Sequence, residues 1–128
     1  MSNHEKFYRC PICGNFFGVI NDAGPIPVCC GEPMKVVEAN STDAATEKHV
    51  PDVELNGNVL HVKVGSIPHP MLPEHYIQWV FVITNLGRHR MILAPGEAPE
   101  ANVLLLPEEK PLRVYEYCNL HGLWVKEL

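Results

Sequence analysis

Four of the five cysteines fall within the first 30 residues: Cys10 and Cys13 in a C-x-x-C spacing, then the adjacent pair Cys29-Cys30. A block of residues 1–37 is too short to bury a self-sufficient core and needs a staple. Two thiolates two residues apart grip one ion, and Gly14 frees the turn that follows. The second pair, followed by Gly31, completes four ligands for a tetrahedral zinc or iron site. Adjacent cysteines reach one metal less easily than a C-x-x-C turn allows, so a distorted site is expected. Spacing alone favours a structural zinc ribbon, with a disulfide pair as a poorer reading, and it names no metal.

Residues 38–45, small and polar, read as a linker with one helical turn. Residues 46–128 read as β throughout. Leu60, Val62 and Val64 alternate with His61 and Lys63, the period of a half-buried strand. Asn56-Gly57 before them is a two-residue hairpin signal. Tyr76–Ile83 is apolar on both faces, as a central strand is, and Arg88–Leu93, Asn102–Leu106 and Leu112–Tyr117 fit shorter strands. Twelve prolines spread along the chain leave no room for a long helix. With 46% hydrophobic and 20% charged residues a packed core is within reach, and the fold class expected is all-β, a small antiparallel sandwich.

The second block also holds Cys118 and six of the seven histidines. Cys118-Asn119-Leu120-His121 is C-x-x-H, a spacing that lets both side chains reach one metal. His69 and His75 bracket a loop stiffened by Pro70 and Pro73, and His49 precedes Val50-Pro51. His4, His61 and His89 are read as ordinary residues: His61 follows the strand alternation and His89 sits between two arginines. A thiolate with imidazoles suits iron, copper or zinc, and five ligands leave one octahedral position open.

Charge narrows the partners. Fifteen Asp and Glu against ten Lys and Arg give a formal charge of −5, which argues against nucleic acid or an anionic membrane surface. No apolar run approaches a membrane span, and Met1–Lys6 has no apolar signal region, so a cytoplasmic address is expected. In a reducing compartment cysteines serve as metal ligands more than as disulfides.

Taken together, Cys10-x-x-Cys13 with Cys29-Cys30, Glu47-Lys48-His49-Val50-Pro51, His69-Pro70-Met71, His75-Tyr76-Ile77-Gln78-Trp79, Pro95-Gly96-x-Ala98-Pro99-Glu100-Ala101 and Cys118-Asn119-Leu120-His121-Gly122 resemble desulfoferrodoxin, the two-iron class of superoxide reductase. The resemblance covers nearly the whole chain. It implies a desulforedoxin-like domain over 1–37 and an immunoglobulin-like β-sandwich over 46–128, paired as a homodimer. It implies a first iron on Cys10, Cys13, Cys29 and Cys30. A catalytic iron is implied on His49, His69, His75 and His121 in a plane, with Cys118 axial and His121 binding through Nδ1. The implied reaction is one-electron reduction of superoxide to hydrogen peroxide without oxygen release, fed by a rubredoxin-type donor. Lys48 is then expected to steer the anion, Glu47 to ligate the oxidised iron, and Glu116 to tune hydrogen bonding near the thiolate. The readings left beside it are a rubredoxin-like electron carrier and a zinc-ribbon module.

Overall fold

A computed structural model describes residues 5–128, so His4 lies outside the described residues. The chain divides into two compact units, Met1–Glu38 and Ala39–Leu128.

In the first unit, β1 (Phe7–Arg9) is flanked by β2 (Phe16–Gly18) and β5 (Lys35–Val37) in an antiparallel sheet, and β3 (Val28–Cys29) pairs with β4 (Glu32–Pro33) as a ribbon. Its small core gathers Tyr8, Cys10 and Met34, with Val19 and Cys29 against them. So few buried side chains leave the unit dependent on its thiol cluster.

The second unit opens with one helical turn, α1 (Thr46–His49), followed by β6 (Pro51–Asn56), β7 (Val59–Val64), β8 (Ile77–Thr84), β9 (Arg88–Ile92), β10 (Glu100–Leu104), β11 (Pro111–Cys118) and β12 (Gly122–Glu127). One sheet runs β10-β7-β6 and the other β12-β11-β8-β9, all pairs antiparallel. The core between them takes Leu60, Val62 and Val64 from β7, Val80 and Val82 from β8, Ala101 and Val103 from β10, and Val114 and Cys118 from β11. This is the expected all-β sandwich, with the alternation of β7 as read and β8 in a central position.

Several local expectations shift. Register pairs Asn56 with Val59, so the hairpin loop is Gly57-Asn58, one residue later than expected; Gly57 alone takes a positive φ of 60°, the sign pattern of a type II′ turn. β10 begins at Glu100, two residues early, because Glu100 and Ala101 pair with Lys63 and Val62. The helical turn falls at 46–49 and not within 38–45. In the linker, Asn40 (φ 58°) donates its backbone N–H to Leu123 O (2.9 Å) and its side-chain amide to Val125 O (3.3 Å), and its Oδ1 accepts from Val125 N (2.9 Å).

Candidate metal centres

The first centre is made by two turns. Gly14 N donates to Cys10 O, with Gly14 at φ 81°, which closes the Cys10–Cys13 turn. The adjacent cysteines are accommodated by a hairpin: Cys29 ends β3 and pairs with Glu32, and the two-residue loop Cys30-Gly31 has positive φ at both positions (54° and 75°). Left-handed backbone at a non-glycine residue costs about 1–2 kcal/mol, and this is the distortion expected of neighbouring thiolates sharing an ion. The four sulfurs converge within 4.8 Å. Cys13 Sγ and Cys29 Sγ are 3.6 Å apart, Cys29 Sγ and Cys30 Sγ 4.0 Å. A tetrahedron with metal–sulfur bonds of about 2.3 Å has edges of about 3.8 Å. The spacing fits a metal and is far from a disulfide; all five cysteines are free. Backbone N–H groups of Cys13 and Asn15 aim at the sulfurs of Cys10 (3.5 Å) and Cys13 (3.4 Å). The Cys13 backbone N–H leads in holding the Cys10 thiol down to about 6, whereas hydrogen bonding with Cys13 and Cys10 pushes Cys30 up. Several thiolates crowded together in this way favour a cation among them.

The second centre draws its ligands from three segments. His49 ends α1, and His69 and His75 lie in the connection from β7 to β8. Cys118 ends β11, while His121 is the last residue of the three-residue β11–β12 hairpin loop, closed by Gly122 at φ 83°. Register along β11 slips at this end: Tyr117 faces Trp79 and Cys118 faces Ile77, so Gln78 bulges. Bulges beside functional sites re-aim side chains in this manner. Within the His75 loop, Leu72 and His75 exchange backbone hydrogen bonds of 2.9 and 3.0 Å.

The four imidazoles close a ring. Their centroids stand 4.8 Å (His49–His69), 4.7 Å (His69–His75), 5.0 Å (His75–His121) and 4.9 Å (His121–His49) apart, with neighbouring rings turned 70–83° to one another. A square of that edge places each centroid about 3.4 Å from its middle, the reach of an imidazole whose nitrogen stands about 2.1 Å from a metal. His49 Nε2 and His69 Nε2 approach to 3.2 Å, His75 Nε2 is buried without a protein partner, and the sulfur of Cys118 lies 3.3 Å from His69 Nε2 and 3.8 Å from His121 Nδ1. The nitrogens that face inward are therefore three Nε2 atoms and the Nδ1 of His121.

Outer contacts fix the tautomers. His49 Nδ1 lies 2.7 Å from Ala45 O and His69 Nδ1 2.7 Å from Pro70 O. A carbonyl only accepts, so each Nδ1 carries the proton and each Nε2 presents its lone pair inward. Burial holds His49, His69 and His75 below the ordinary imidazole value, His69 at about 4, so the ligands are neutral near pH 7. Burial raises the Cys118 thiol, opposed by the backbone N–H groups of Leu120 and His121. A metal ion resolves that conflict in favour of the thiolate.

Glu47 and Lys48 project from α1 into solvent beside His49, and the Lys48 charge acts on both His49 and His75, lowering each. Glu116 is fully buried in β11; burial drives its carboxyl well up, and neither oxygen has a hydrogen-bond partner. Its carboxyl therefore makes no direct hydrogen bond toward the thiolate. His61 is engaged by Asn102 (2.6 Å) and Glu100 (3.0 Å), and His89 by Glu109 (2.7 Å), so both stand apart from the centre.

Sequence reasoning missed two supports. Trp124 stacks on His49 (4.9 Å, 20°) and donates Nε1–H to His121 O at 3.0 Å, so it braces two ligands at once. Gly65 (φ 81°) lies where an added Cβ would stand 2.5 Å from Glu47 O and 2.7 Å from the carbonyl carbon of Lys48, allowing Ile67 N to reach Glu47 O at 3.0 Å. A glycine directly after an alternating strand was the available signal for it.

Residues 2–37 match the family model for the desulfoferrodoxin N-terminal domain, and residues 41–127 the model for desulfoferrodoxin itself. The chain belongs to the desulfoferrodoxin family. Among relatives, the desulfoferrodoxin of Syntrophotalea carbinolica is 46% identical over 127 residues, covering 99% of each chain. That of Nitratidesulfovibrio vulgaris is 42% identical over 127 residues, again 99% of each. The crystal structure of the superoxide reductase from Treponema pallidum superposes with a TM-score of 0.83 at 39% identity, covering 97% of this chain and 99% of that one. The four-thiolate and His4Cys sets match the two-iron pattern of desulfoferrodoxins.

Proposed function

We propose that this desulfoferrodoxin is a superoxide reductase: superoxide, one electron and two protons give hydrogen peroxide, with no oxygen released. Four imidazoles gathered around the buried sulfur of Cys118 carry this reading, because five such ligands leave one octahedral position open. These five residues would hold a ferrous ion, which would supply the electron, and the Cys118 thiolate would make it a better donor. His49, His69, His75 and His121 would hold the ion through imidazole nitrogens that do not neutralise it, so the centre would keep positive charge for an anion. Cys118, 0% exposed, is sealed from oxidants on the core side, while His75 and His121 are half-exposed and mark the approach. Lys48 places a cation at that approach and draws the anion against the net negative charge of the chain. Glu47 offers a carboxylate for the oxidised centre once product has left. Glu116, a buried carboxyl two residues from Cys118 on the same strand, is the group placed to tune the surroundings of the thiolate.

The reading extends to a desulforedoxin-like domain over 1–37 with iron on Cys10, Cys13, Cys29 and Cys30, a linker over 38–45, and a reductase domain over 46–128. It also takes in a cytoplasmic homodimer reduced by a rubredoxin-type donor. Among the described residues no helix is long and apolar enough to cross a membrane.

Metal analysis with stoichiometry tests the proposal. Two irons per chain, a visible thiolate-to-iron band lost in Cys118→Ser, and one peroxide per superoxide are expected. A colourless zinc protein, or half a peroxide per superoxide with oxygen evolved, overturns it.

A further inference from the structure

We infer that Asn119 is the positioning residue for His75, an inference that rests on reading the five residues as one metal centre. His49 and His69 are each oriented by a ring N–H bonded to a carbonyl, Ala45 O and Pro70 O. His75 has no such ring bond among the described residues, and its inward Nε2 is without a protein partner. Its direction must come from its backbone. The Asn119 side chain grips that backbone on both sides: Nδ2 donates to Glu74 O at 3.0 Å and Oδ1 accepts from Tyr76 N at 2.9 Å. The Asn119 backbone N–H adds a third bond, to Tyr76 O at 3.3 Å.

Asn119 itself sits in the hairpin loop between Cys118 and His121. One side chain thus ties the turn carrying two ligands to the loop carrying a third, 43 and 45 residues away in sequence. An amide suits the task because it offers a donor and an acceptor in one rigid plane, as a neighbouring strand would. Alanine offers neither, and aspartate keeps only the acceptor.

A matched asparagine elsewhere separates positioning from plain stability. Asn85 makes the same grip around Glu109: Lys110 N donates to Asn85 Oδ1 at 2.7 Å and Asn85 Nδ2 donates to Glu108 O at 3.3 Å. It touches none of the five ligands. The experiment compares full-length, iron-loaded wild type with Asn119→Ala, Asn119→Asp and Asn85→Ala. It measures thermal melting, the rate of iron loss from the second centre to a ferrous chelator, and the energy and width of the oxidised thiolate band.

Asn119→Ala is expected to lose iron from that centre 10–100-fold faster, the range for groups that orient metal ligands, with a shifted or broadened band. Asn119→Asp is expected to fall between it and wild type, and remains informative if the alanine variant fails to fold. Asn85→Ala should melt lower with iron retention and band unchanged. Wild-type retention and band in Asn119→Ala, or equal loss in Asn85→Ala, overturns the inference. Absence of the band from wild type would instead overturn the reading of the centre.

Discussion

Gly65→Ala is the sharpest perturbation of the catalytic unit, because its cost follows from the backbone around one missing atom. Alanine at φ 81° must hold a left-handed conformation, at about 1–2 kcal/mol. Its methyl would also stand 2.5 Å from Glu47 O, 2.6 Å from Ile67 O and 2.7 Å from the carbonyl carbon of Lys48. All three are backbone atoms, so nothing flexible can swing aside, and overpacking of this kind costs about 1–3 kcal/mol. The total is roughly 2–5 kcal/mol, a large share of the ~5–15 kcal/mol that holds a domain together. Relief comes by pushing Glu47 and Lys48 away, which breaks the Ile67 N–Glu47 O bond and carries His49 out of the imidazole ring. Gly57→Ala is the control: it has the same sign of φ (60°) but nothing within 4 Å of the added carbon. Differential scanning calorimetry and iron analysis of the two variants, with the four-thiolate iron as internal standard, read both effects. Gly65→Ala is expected to melt well below Gly57→Ala and to lose iron only from the second centre. Equal melting temperatures with full iron in both would refute the close-contact argument.

Lys48→Ile is expected to slow the encounter with superoxide by about tenfold and to flatten its dependence on ionic strength, whereas Glu47→Ala leaves the encounter unchanged and alters the oxidised spectrum; pulse radiolysis at two salt concentrations measures both. Cys13→Ser should abolish the four-thiolate iron and destabilise the first unit while superoxide reduction continues, and a fully loaded second centre without activity would contradict that division. Hydrogen bonds from Thr84 (2.6 Å), His89 (2.7 Å) and Leu106 N (3.1 Å) hold the Glu109 carboxyl down from 4.5 to about 2. A carboxyl lowered on folding stabilises fully above its unfolded value, so this contribution is present above about pH 4.5 and disappears as pH falls toward 2. Urea titrations at stepped pH should show Glu109→Gln with a shallower loss than wild type across that window, and parallel curves would count against it.

Part of each metal set was legible from spacing, since C-x-x-C and C-x-x-H oblige short turns whatever surrounds them, whereas His49, His69 and His75 were joined to Cys118 and His121 only through the family resemblance. The alternation through Leu60, Val62 and Val64 gave β7 because one face of that strand is buried and the other wet. Position was harder than type. The hairpin turn moved one residue because strand pairing of Asn56 with Val59 decides which residues remain in the loop. β12 went unread because its Leu123-Trp124-Val125 run is short and follows directly on a ligand motif. The helical turn was expected among small linker residues, yet Asn40 there bonds to β12 and the turn forms only at Thr46. The spacing of Glu116 to Cys118 places it near the thiolate, but nothing in sequence reveals that its carboxyl is fully buried. Gly65 and Trp124 matter through contacts with residues far away in the chain, which no local pattern encodes.

The Asn40 contacts bear on how the catalytic unit can be handled alone. β12 is the last strand of its sheet, so its outer edge is an open row of donors and acceptors. Asn40 occupies that row at Leu123 O, Val125 N and Val125 O. A chain begun at residue 46, where the strands and ligands start, would uncover this edge beside a Leu-Trp-Val segment of high β-propensity. Unprotected edges of that composition template strand addition between molecules. The short polar stretch before the helical turn is therefore a guard against self-association, and a soluble single-centre fragment has to begin at or before Ala39.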